Sequence, residues 1–301
     1  MATAFSENLT AEQQSQVLQV FQQFQHPSLQ KDLIALNTLK KVEKGGDVLR
    51  IELQLPFAWN TGVEQVKQQL SDALLKATDS KEIKWVVNYQ IATLKRANNQ
   101  PAVKGVKNII AVTSGKGGVG KSSVSVNLAL ALQAQGARVG ILDADIYGPS
   151  IPHMLGAPHQ RPTSPDNQHI TPIKAYGLSA NSIGFLMDED NATIWRGPMA
   201  SSALSQLLNE TLWDSLDYLV IDMPPGTGDI QLTLSQQIPV TGAVVVTTPQ
   251  DIALLDAVKG VSMFERVSVP VLGIVENMSM HICSNCGHHE AIFGTGGAEK
   301  M

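Results

Sequence analysis

A glycine-rich segment with two lysines constrains the fold of this 301-residue chain more than any other feature. Residues 115–122 read Gly-Lys-Gly-Gly-Val-Gly-Lys-Ser, which fits the pattern G-x-x-x-x-G-K-[ST]. The apolar run 108–113 before it predicts a strand, and the Ala/Leu-rich run 121–135 after it predicts a helix. A strand, this loop and a helix in that order predict a phosphate-binding loop, or P-loop.

The residue types of this loop suit a nucleotide triphosphate. Glycines allow backbone N–H groups to curl around phosphate oxygens, and the helix N-terminus adds its positive dipole end. We expect Lys121 to reach the β- and γ-phosphates of ATP and the Ser122 hydroxyl to bind Mg²⁺. The predicted nucleotide-binding residues of the loop are Gly115, Lys116, Gly117, Gly118, Val119, Gly120, Lys121, Ser122 and Ser123.

Short apolar runs alternate with helical patterns through the rest of this segment. Strands are predicted at 138–142, 217–221, 242–247 and 271–275, and helices at 199–213 and 252–266. This alternation predicts an α/β fold of the P-loop NTPase type, with a mostly parallel sheet flanked by helices. In such sheets ligands bind at the carboxyl ends of the strands, which is where the motifs fall.

Acidic residues follow two of the predicted strands. Asp143 and Asp145 come directly after strand 138–142, where carboxylates near a triphosphate can contact a metal-bound water and activate water for attack. Asp222 ends strand 217–221 and is typical of a Walker B aspartate, which holds Mg²⁺ directly or through water. The loop 223–228 that follows could sense the γ-phosphate through its backbone N–H groups.

The only two cysteines, Cys283 and Cys286, form a C-x-x-C pair. Two thiolates can serve one metal ion, and a structural zinc site would need two further ligands, for which the nearby histidines 281, 288 and 289 are candidates. A redox pair is another option. Two chains together supply the four thiolates that a 4Fe–4S cluster needs, so the favoured interpretation is an iron–sulfur cluster shared by a homodimer.

Composition and charge place the chain among globular, soluble proteins. Hydrophobic residues make up 43% of the sequence, the net charge is −5, and no run is long and apolar enough for a membrane span. We therefore expect no nucleic-acid partner and no membrane partner. The N-terminus has no secretory signal and the two cysteines exclude a disulfide framework, so a cytoplasmic location is expected.

The polar, proline-containing stretch after residue 97 predicts a domain boundary. Residues 1–97 are predicted to form a small α/β domain, 98–107 a linker, and 108–301 the P-loop domain. In the small domain, residues 17, 20, 21 and 24 give one apolar helix face, and Thr10 with Gln13 is a plausible capping box. A turn at 45–46 between two strand-like runs, a helix over 61–77 and a strand over 84–89 complete it.

Seven segments together resemble the Mrp/ApbC family of iron–sulfur cluster carrier ATPases, within the deviant Walker A group related to MinD and ParA. The matching segments are GKGGVGKSS (115–123), LDADIYGPSIPHMLG (142–156), IWRGPM (194–199), YLVIDMPPGTGD (218–229), TTPQDIALLDAVKG (247–260), ENMS (276–279) and CSNCGHHEAIFGTGG (283–297). Residues 1–97 are more loosely similar to the metal–sulfur-cluster assembly domain often fused upstream, although Pro56–Trp59 lacks the cysteine that some versions carry.

The resemblance implies roles for particular residues. Lys116 matches the second lysine of the deviant Walker A loop, which reaches across a nucleotide-sandwich dimer, so it joins Lys121 and Asp145 as a predicted catalytic residue. Asp145 matches the position that orients the attacking water, and Asp143 would support the metal shell. Asn277 matches the position that contacts the adenine.

The resemblance also implies a function for the whole chain. A homodimer would bind ATP, hydrolyse it slowly, hold a labile 4Fe–4S cluster between its two chains, and pass that cluster to apo-proteins in concert with the cluster assembly machinery. Family members continue past FGTGG with a helix, a strand and a terminal helix, so the resemblance implies a C-terminally incomplete chain. The alternatives are a MinD/ParA-like positioning ATPase and a nucleotide- or metal-binding scaffold without turnover.

Overall fold

The computed structural model of the chain describes residues 3–97, 100–186 and 197–300. These residues group into two compact units, the first reaching residue 92 and including 134–137, and the second containing the remainder. Residues 194–196 of the IWRGPM segment lie outside the described residues, as do Asn98 and Asn99 of the predicted linker. Each unit has its own core.

The first unit is a four-stranded sheet with two helices. Its elements are β1 (Ala4–Phe5), α1 (Ala11–Gln22), β2 (Leu39–Gly45), β3 (Val48–Leu55), α2 (Asn60–Thr78) and β4 (Glu82–Tyr89). The strand order is β1-β2-β3-β4, in which only the β2–β3 pair is antiparallel. The turn between β2 and β3 contains Gly46 at a φ of +60°, where a glycine is favoured.

The predicted capping box at the start of α1 is confirmed. The Gln13 backbone N–H donates to Thr10 Oγ1 at 3.2 Å, and the Thr10 N–H donates to Gln13 Oε1 at 3.1 Å. Two N–H groups that the first helical turn cannot satisfy therefore find partners. The apolar face places Val17 and Phe21 in the core with no exposed surface, as the helical spacing predicts.

The second unit is built around a seven-stranded sheet. Its strands are β5 (Val106–Ser114), β6 (Val139–Asp143), β7 (Ile173–Ala175), β8 (Leu178–Ser182), β9 (Leu216–Asp222), β10 (Gly242–Thr247) and β11 (Val271–Glu276). The strand order is β11-β10-β5-β9-β6-β8-β7, and every neighbouring pair is parallel except β7–β8. The predicted α/β fold with a mostly parallel sheet is confirmed.

The described part of this unit also contains five α-helices, two short 3-10 helices (Ile183–Phe185 and Ala298–Lys300) and a short hairpin. The helices are α3 (Lys121–Ala134), α4 (Ile151–Met154), α5 (Gly197–Glu210), α6 (Asp229–Gln237) and α7 (Asp251–Arg266). The hairpin pairs β12 (His281–Ile282) with β13 (His289–Glu290). Most residues of β5, β6 and β9, in the middle of the sheet, are buried, and each strand contains an apolar stretch, as buried parallel strands do.

Three features differ from the sequence-based expectations. The predicted linker 98–107 is too long, because Val103 is buried in the core of the second unit and β5 begins at Val106. The short antiparallel pair β7–β8 was not predicted, since its three and five residues give too little periodicity. Helix α6 was not predicted either, because it follows the Pro/Gly-rich loop 224–228, which suggests a longer irregular segment.

Within the described ranges, no helix combines the length and the apolar content that a bilayer-crossing helix requires.

Candidate functional site

The P-loop leaves the carboxyl end of β5 and enters α3, as predicted. Gly118 and Gly120 have φ angles of +80° and +86°, a region that side chains with a Cβ rarely adopt. A Cβ on Gly115 would lie 2.3 Å from the Asp256 backbone oxygen, so this position needs glycine for a different reason, the close approach of α7. At the tip, Gly117 and Gly118 have open space around them, which leaves the backbone accessible to a ligand.

Lys121 lies at the centre of a buried ionic cluster. Its Nζ is 2.7 Å from Asp222 Oδ1 and 3.8 Å from Asp145 Oδ2. The Asp222 side chain has no exposed surface and that of Lys121 is only 6% exposed. Because water solvates neither charge well, each is stabilised mainly by the other. The structure thus brings together two of the three predicted catalytic residues and the predicted Walker B carboxylate.

Two hydroxyl groups hold the Asp222 carboxylate in place. Ser122 Oγ donates to Asp222 Oδ2 at 2.6 Å, which joins the two oxygen groups predicted to bind Mg²⁺. Ser125 Oγ donates to Asp222 Oδ1 at 2.7 Å from the next turn of α3. Ser125 was not predicted from the sequence, although its position four residues after Lys121 places it on the same helix face and could have identified it.

Asp143 contacts the segment that follows β6. Its carboxylate accepts hydrogen bonds from the backbone N–H groups of Asp145 and Ile151, each at 3.1 Å, and from Ser182 Oγ at 3.1 Å. These contacts fix the backbone that carries Asp145. Burial raises the pKa of Asp143 to about 7, and repulsion from Asp222 adds to this shift. The predicted place of Asp143 in a metal shell stays a prediction.

This raised pKa predicts an unusual pH dependence of stability. Because the folded-state pKa of about 7 exceeds the ordinary value of 3.8, the folded state holds this proton more tightly than the unfolded state. The stabilisation is full below the ordinary pKa and is lost as pH rises through about 7. We therefore compare the free energy of unfolding of Asp143→Asn with that of the nucleotide-free wild type at each pH. As pH rises from 5 to 8, we expect this difference to change by roughly 2–3 kcal/mol in favour of the variant.

Urea denaturation at several pH values measures this difference. Asp72→Asn, at an exposed position of α2, is the matched control and is measured over the same pH range. If the difference for Asp143→Asn were constant from pH 5 to 8, the protonated carboxyl would be excluded.

Asp145 lies closer to the accessible part of the site than Asp143. Its side chain is 14% exposed, and burial raises its pKa although the positive charge of Lys121 opposes the shift. The Ala144 N–H, one residue earlier, donates to the Asp222 backbone oxygen at 2.9 Å, so the ends of β6 and β9 are tied together. The carboxylate is thereby held beside Lys121.

The loop after β9 continues alongside the end of the P-loop strand β5. The N–H groups of Met223 and Gly226 donate to the backbone oxygens of Val112 and Ser114 at 2.9 and 2.8 Å. The Gln231 side-chain amide, from α6, donates to the Pro225 backbone oxygen. The loop 223–228 is therefore anchored next to the predicted phosphate site, and its sensing of a γ-phosphate stays a prediction.

Asn277 joins the end of β11 to the P-loop. Its Nδ2 donates to the Val119 backbone oxygen at 2.9 Å, and its own N–H donates to the Thr247 backbone oxygen at 2.8 Å. A Cβ on Gly120 would lie 2.3 Å from Asn277 Nδ2, so glycine is required there for this contact. The structure places Asn277 at the nucleotide loop, and contact with adenine stays a prediction.

The two cysteines lie in the turn of the β12–β13 hairpin. The Cys283 N–H donates to the His288 oxygen at 2.9 Å, and the Gly287 N–H donates to the Cys283 oxygen at 2.8 Å. Gly287 has a φ of +71°, which lets the chain reverse directly after Cys286. Cys286 is exposed and Cys283 is partly exposed, so both thiols are available at the surface of this unit.

The hairpin backbone activates one of the thiols. The backbone N–H groups of Cys286 and Asn285 lower the pKa of the Cys283 thiol, since they stabilise the thiolate. The thiolate is the form that binds metal. Across the described parts of the chain, no three His, Cys, Asp or Glu residues group closely enough to hold a metal ion. One chain therefore offers its two thiolates without a ready third ligand.

Of the remaining predicted residues, Lys116 is partly exposed at the start of the P-loop. Its backbone oxygen accepts from Ser114 Oγ at 2.8 Å. Ser123 is exposed on the first turn of α3. The cysteine hairpin and the ionic cluster occur in the same unit, and they are linked along the chain through Asn277 and the residues that follow it.

The chain is similar to proteins of known name. A protein from Haemophilus influenzae named iron-sulfur cluster carrier protein is 91% identical over 301 residues, which cover 100% of this chain and 81% of that protein. A Salmonella typhimurium protein of the same name is 69% identical over 278 residues, or 92% of this chain and 75% of that protein.

Among solved structures, a nucleotide-binding protein from Archaeoglobus fulgidus in complex with ADP is similar at 41% identity and a TM-score of 0.58. The match covers 65% of this chain and 76% of that chain. The sequence model of the family described as ParA: NUBPL iron-transfer P-loop NTPase matches residues 105–301. The predicted family is thus confirmed, and the chain belongs to the NUBPL group of iron-transfer P-loop NTPases.

Proposed function

We propose that this chain is an iron–sulfur cluster carrier driven by ATP. The observation that carries the proposal is the presence, in one compact unit, of a P-loop with its buried Lys121–Asp222 pair and a hairpin that presents one exposed and one partly exposed thiol. The relatives named iron-sulfur cluster carrier protein support the cargo. The cluster is the substrate that the protein carries.

Nucleotide binding uses the ionic cluster as a preformed site. Lys121 Nζ lies 2.7 Å from Asp222 Oδ1, and Lys121 would exchange this contact for the phosphates of a bound nucleotide. Ser122 and Asp222 supply two adjacent oxygen groups that fit Mg²⁺, which prefers hydroxyl, carboxylate and phosphate oxygens. When bound, Mg²⁺ neutralises the charge on the phosphates. Ser125 keeps Asp222 oriented while Lys121 turns toward the phosphates.

Hydrolysis then depends on positioning a water molecule. Asp145 is held beside Lys121, its carboxylate is partly accessible, and its raised pKa makes it a better proton acceptor than an ordinary aspartate. Lys116 extends from the same loop and, in a two-chain assembly, contributes its charge to the phosphates bound by the partner chain. The second chain would thus complete each nucleotide site.

Two chains would also complete the cluster site. Cys283 and Cys286 from each chain give the four thiolates of a 4Fe–4S cluster. The exposed position of the hairpin and the absence of a third protein ligand among the described residues suit a labile cluster that must leave. Recipients are apo-proteins with vacant cysteine sites, and the cluster assembly machinery of the cytoplasm supplies the cargo.

Replacing Asp145 by asparagine tests the catalytic part of this account. We expect Asp145→Asn to bind Mg-ATP within about threefold of the wild-type affinity and to hydrolyse it roughly 100-fold more slowly, because the amide cannot accept a proton. Wild-type turnover should also fall as pH decreases toward the raised pKa of Asp145, since protonation removes the acceptor.

Phosphate release under single-turnover conditions measures both effects, and Asp72→Asn serves as the control. Unchanged turnover in Asp145→Asn would remove this residue from the mechanism. If the wild type itself bound ATP without hydrolysing it, the chain would be a binding scaffold.

Cluster transfer tests the function as a whole. The reconstituted protein is mixed anaerobically with an apo-ferredoxin, with and without Mg-ATP, and acceptor activity is followed over time. The proposal predicts transfer whose rate depends on nucleotide. A positioning ATPase would hydrolyse ATP and transfer no cluster.

A further inference from the structure

We propose that Glu276 is a positioning residue that links the P-loop to the cysteine hairpin, so that nucleotide state changes the reactivity of the two thiols. This proposal rests on the proposed function, and it names the contact that couples the nucleotide-binding loop to the cysteine hairpin. Glu276 ends β11, directly before Asn277, and the sequence pattern assigns it no role beyond its place in the ENMS segment.

The Glu276 carboxylate closes the segment that carries the cysteines into a loop. Its Oε1 accepts from the Gly296 N–H at 3.0 Å, and its Oε2 accepts from the Ala298 N–H at 2.7 Å. Among the described residues, these are the two hydrogen bonds that join residues 278–298 to the rest of the chain. One side chain therefore holds the far end of the loop through both of its oxygens.

Two consecutive glycines make this closure possible. Gly296 has a φ of +74°, which directs its N–H to the carboxylate in a conformation that residues with a Cβ rarely adopt. A Cβ on Gly297 would lie 2.5 Å from Leu254 Cδ1 on α7 and 3.1 Å from Glu276 Oε2. Gly296 and Gly297 therefore let the backbone approach the Glu276 carboxylate closely enough for both hydrogen bonds to form.

At its other end, the same loop begins next to Asn277, which contacts the P-loop. Asn277 Nδ2 donates to the Val119 oxygen at 2.9 Å, and this amide fills the space beside Gly120. A shift of the P-loop backbone on phosphate binding therefore moves Asn277. Because Glu276 is its chain neighbour, the shift also reaches the carboxylate that holds the far end.

The hairpin between these two ends has little else to resist such a movement. Its residues are largely exposed, with Ile282 57% and Phe293 46% exposed, and its described internal hydrogen bonds are local. Cys283 and Cys286 both lie in the turn of this hairpin, one partly exposed and one exposed, so a change in the turn alters how accessible the two thiols are to a reagent. Coupling between two sites needs such an element with two arrangements that each site can bias.

Thiol alkylation measures this coupling without requiring a cluster. The rate of iodoacetamide labelling at Cys283 and Cys286 is compared with and without a saturating, non-hydrolysable ATP analogue and Mg²⁺. We expect the nucleotide to change the wild-type rate by about fivefold or more. In Glu276→Gln the change should fall below about twofold, because an amide offers one acceptor oxygen and opposes an N–H with its own donor.

Nucleotide affinity is the readout that separates coupling from a merely structural effect. Glu276→Gln should bind the analogue within about threefold of wild type, and so should Glu299→Gln, an exposed carboxylate from the same segment that serves as the matched control. The control should keep the full change in labelling. Gly297→Ala, which forces a Cβ between Leu254 and Glu276, should lose the change as Glu276→Gln does.

The inference is overturned if Glu276→Gln keeps the wild-type change in labelling rate. It is overturned equally if the wild-type rate does not respond to nucleotide, or if Glu276→Gln loses nucleotide affinity and labelling response together. None of these results depends on cluster loading. A failure to assemble a cluster would contradict the proposed function and leave this measurement interpretable.

Discussion

The Lys121→Ala variant is expected to lose ATP affinity by about 100-fold or more, because charge-assisted contacts to two phosphates are worth about 3 kcal/mol together. The same change leaves Asp222 buried without its cation, which we expect to lower the free energy of unfolding by about 3 kcal/mol. Titration calorimetry with Mg-ATP and urea denaturation measure the two effects. Lys95→Ala, at an exposed lysine, should change neither.

A double variant separates loss of binding from loss of stability. In Lys121→Met with Asp222→Asn both buried charges are removed, so most of the lost stability should return. Affinity for Mg-ATP should stay low, because neither the lysine nor the carboxylate is present. If Lys121→Ala bound Mg-ATP within about threefold of the wild type, the P-loop assignment would be wrong.

The cysteine variants are expected to have the second large effect. Cys283→Ser or Cys286→Ser leaves two thiolates for a shared cluster instead of four, so reconstitution should give less than about a tenth of the wild-type iron. Mg-ATP affinity should stay within about twofold of wild type, since neither cysteine contacts the P-loop. Iron and acid-labile sulfide are measured after anaerobic reconstitution and gel filtration.

Ser284→Ala is the control for these variants, because it changes the same turn and keeps both thiols. It should assemble a cluster as the wild type does. A single cysteine variant that still held a full cluster would contradict the bridging arrangement, and zinc bound by one chain would support the alternative metal site.

The sequence predicted the parts of the site that are local along the chain. The P-loop, its strand and its helix could be predicted because glycine, lysine and serine at this spacing, between a strand and a helix, are typical of phosphate binding. Asp145 and Asp222 follow apolar strands, and parallel strands bring their carboxyl ends together. The structure indeed places both carboxylates beside Lys121, at 3.8 and 2.7 Å.

What the sequence could not predict depends on contacts between distant residues. The Glu276 carboxylate meets Gly296 across 20 positions, and no periodicity signals such a loop closure. The Asp143 contacts with Ile151 at the start of α4 and with Ser182 at the end of β8 likewise arise only in the folded chain. Linker length was overestimated because Val103 packs into a core whose other members lie far along the chain.

Under the proposed function, two chains share one cluster and give it up to an acceptor. Anaerobic native mass spectrometry of the reconstituted protein, before and after mixing with an apo-ferredoxin and Mg-ATP, tests it most directly. The account predicts a two-chain species carrying one 4Fe–4S cluster, followed by loss of that mass and its gain by the acceptor. Cluster or zinc on single chains, or an acceptor that stays in its apo form, would contradict it.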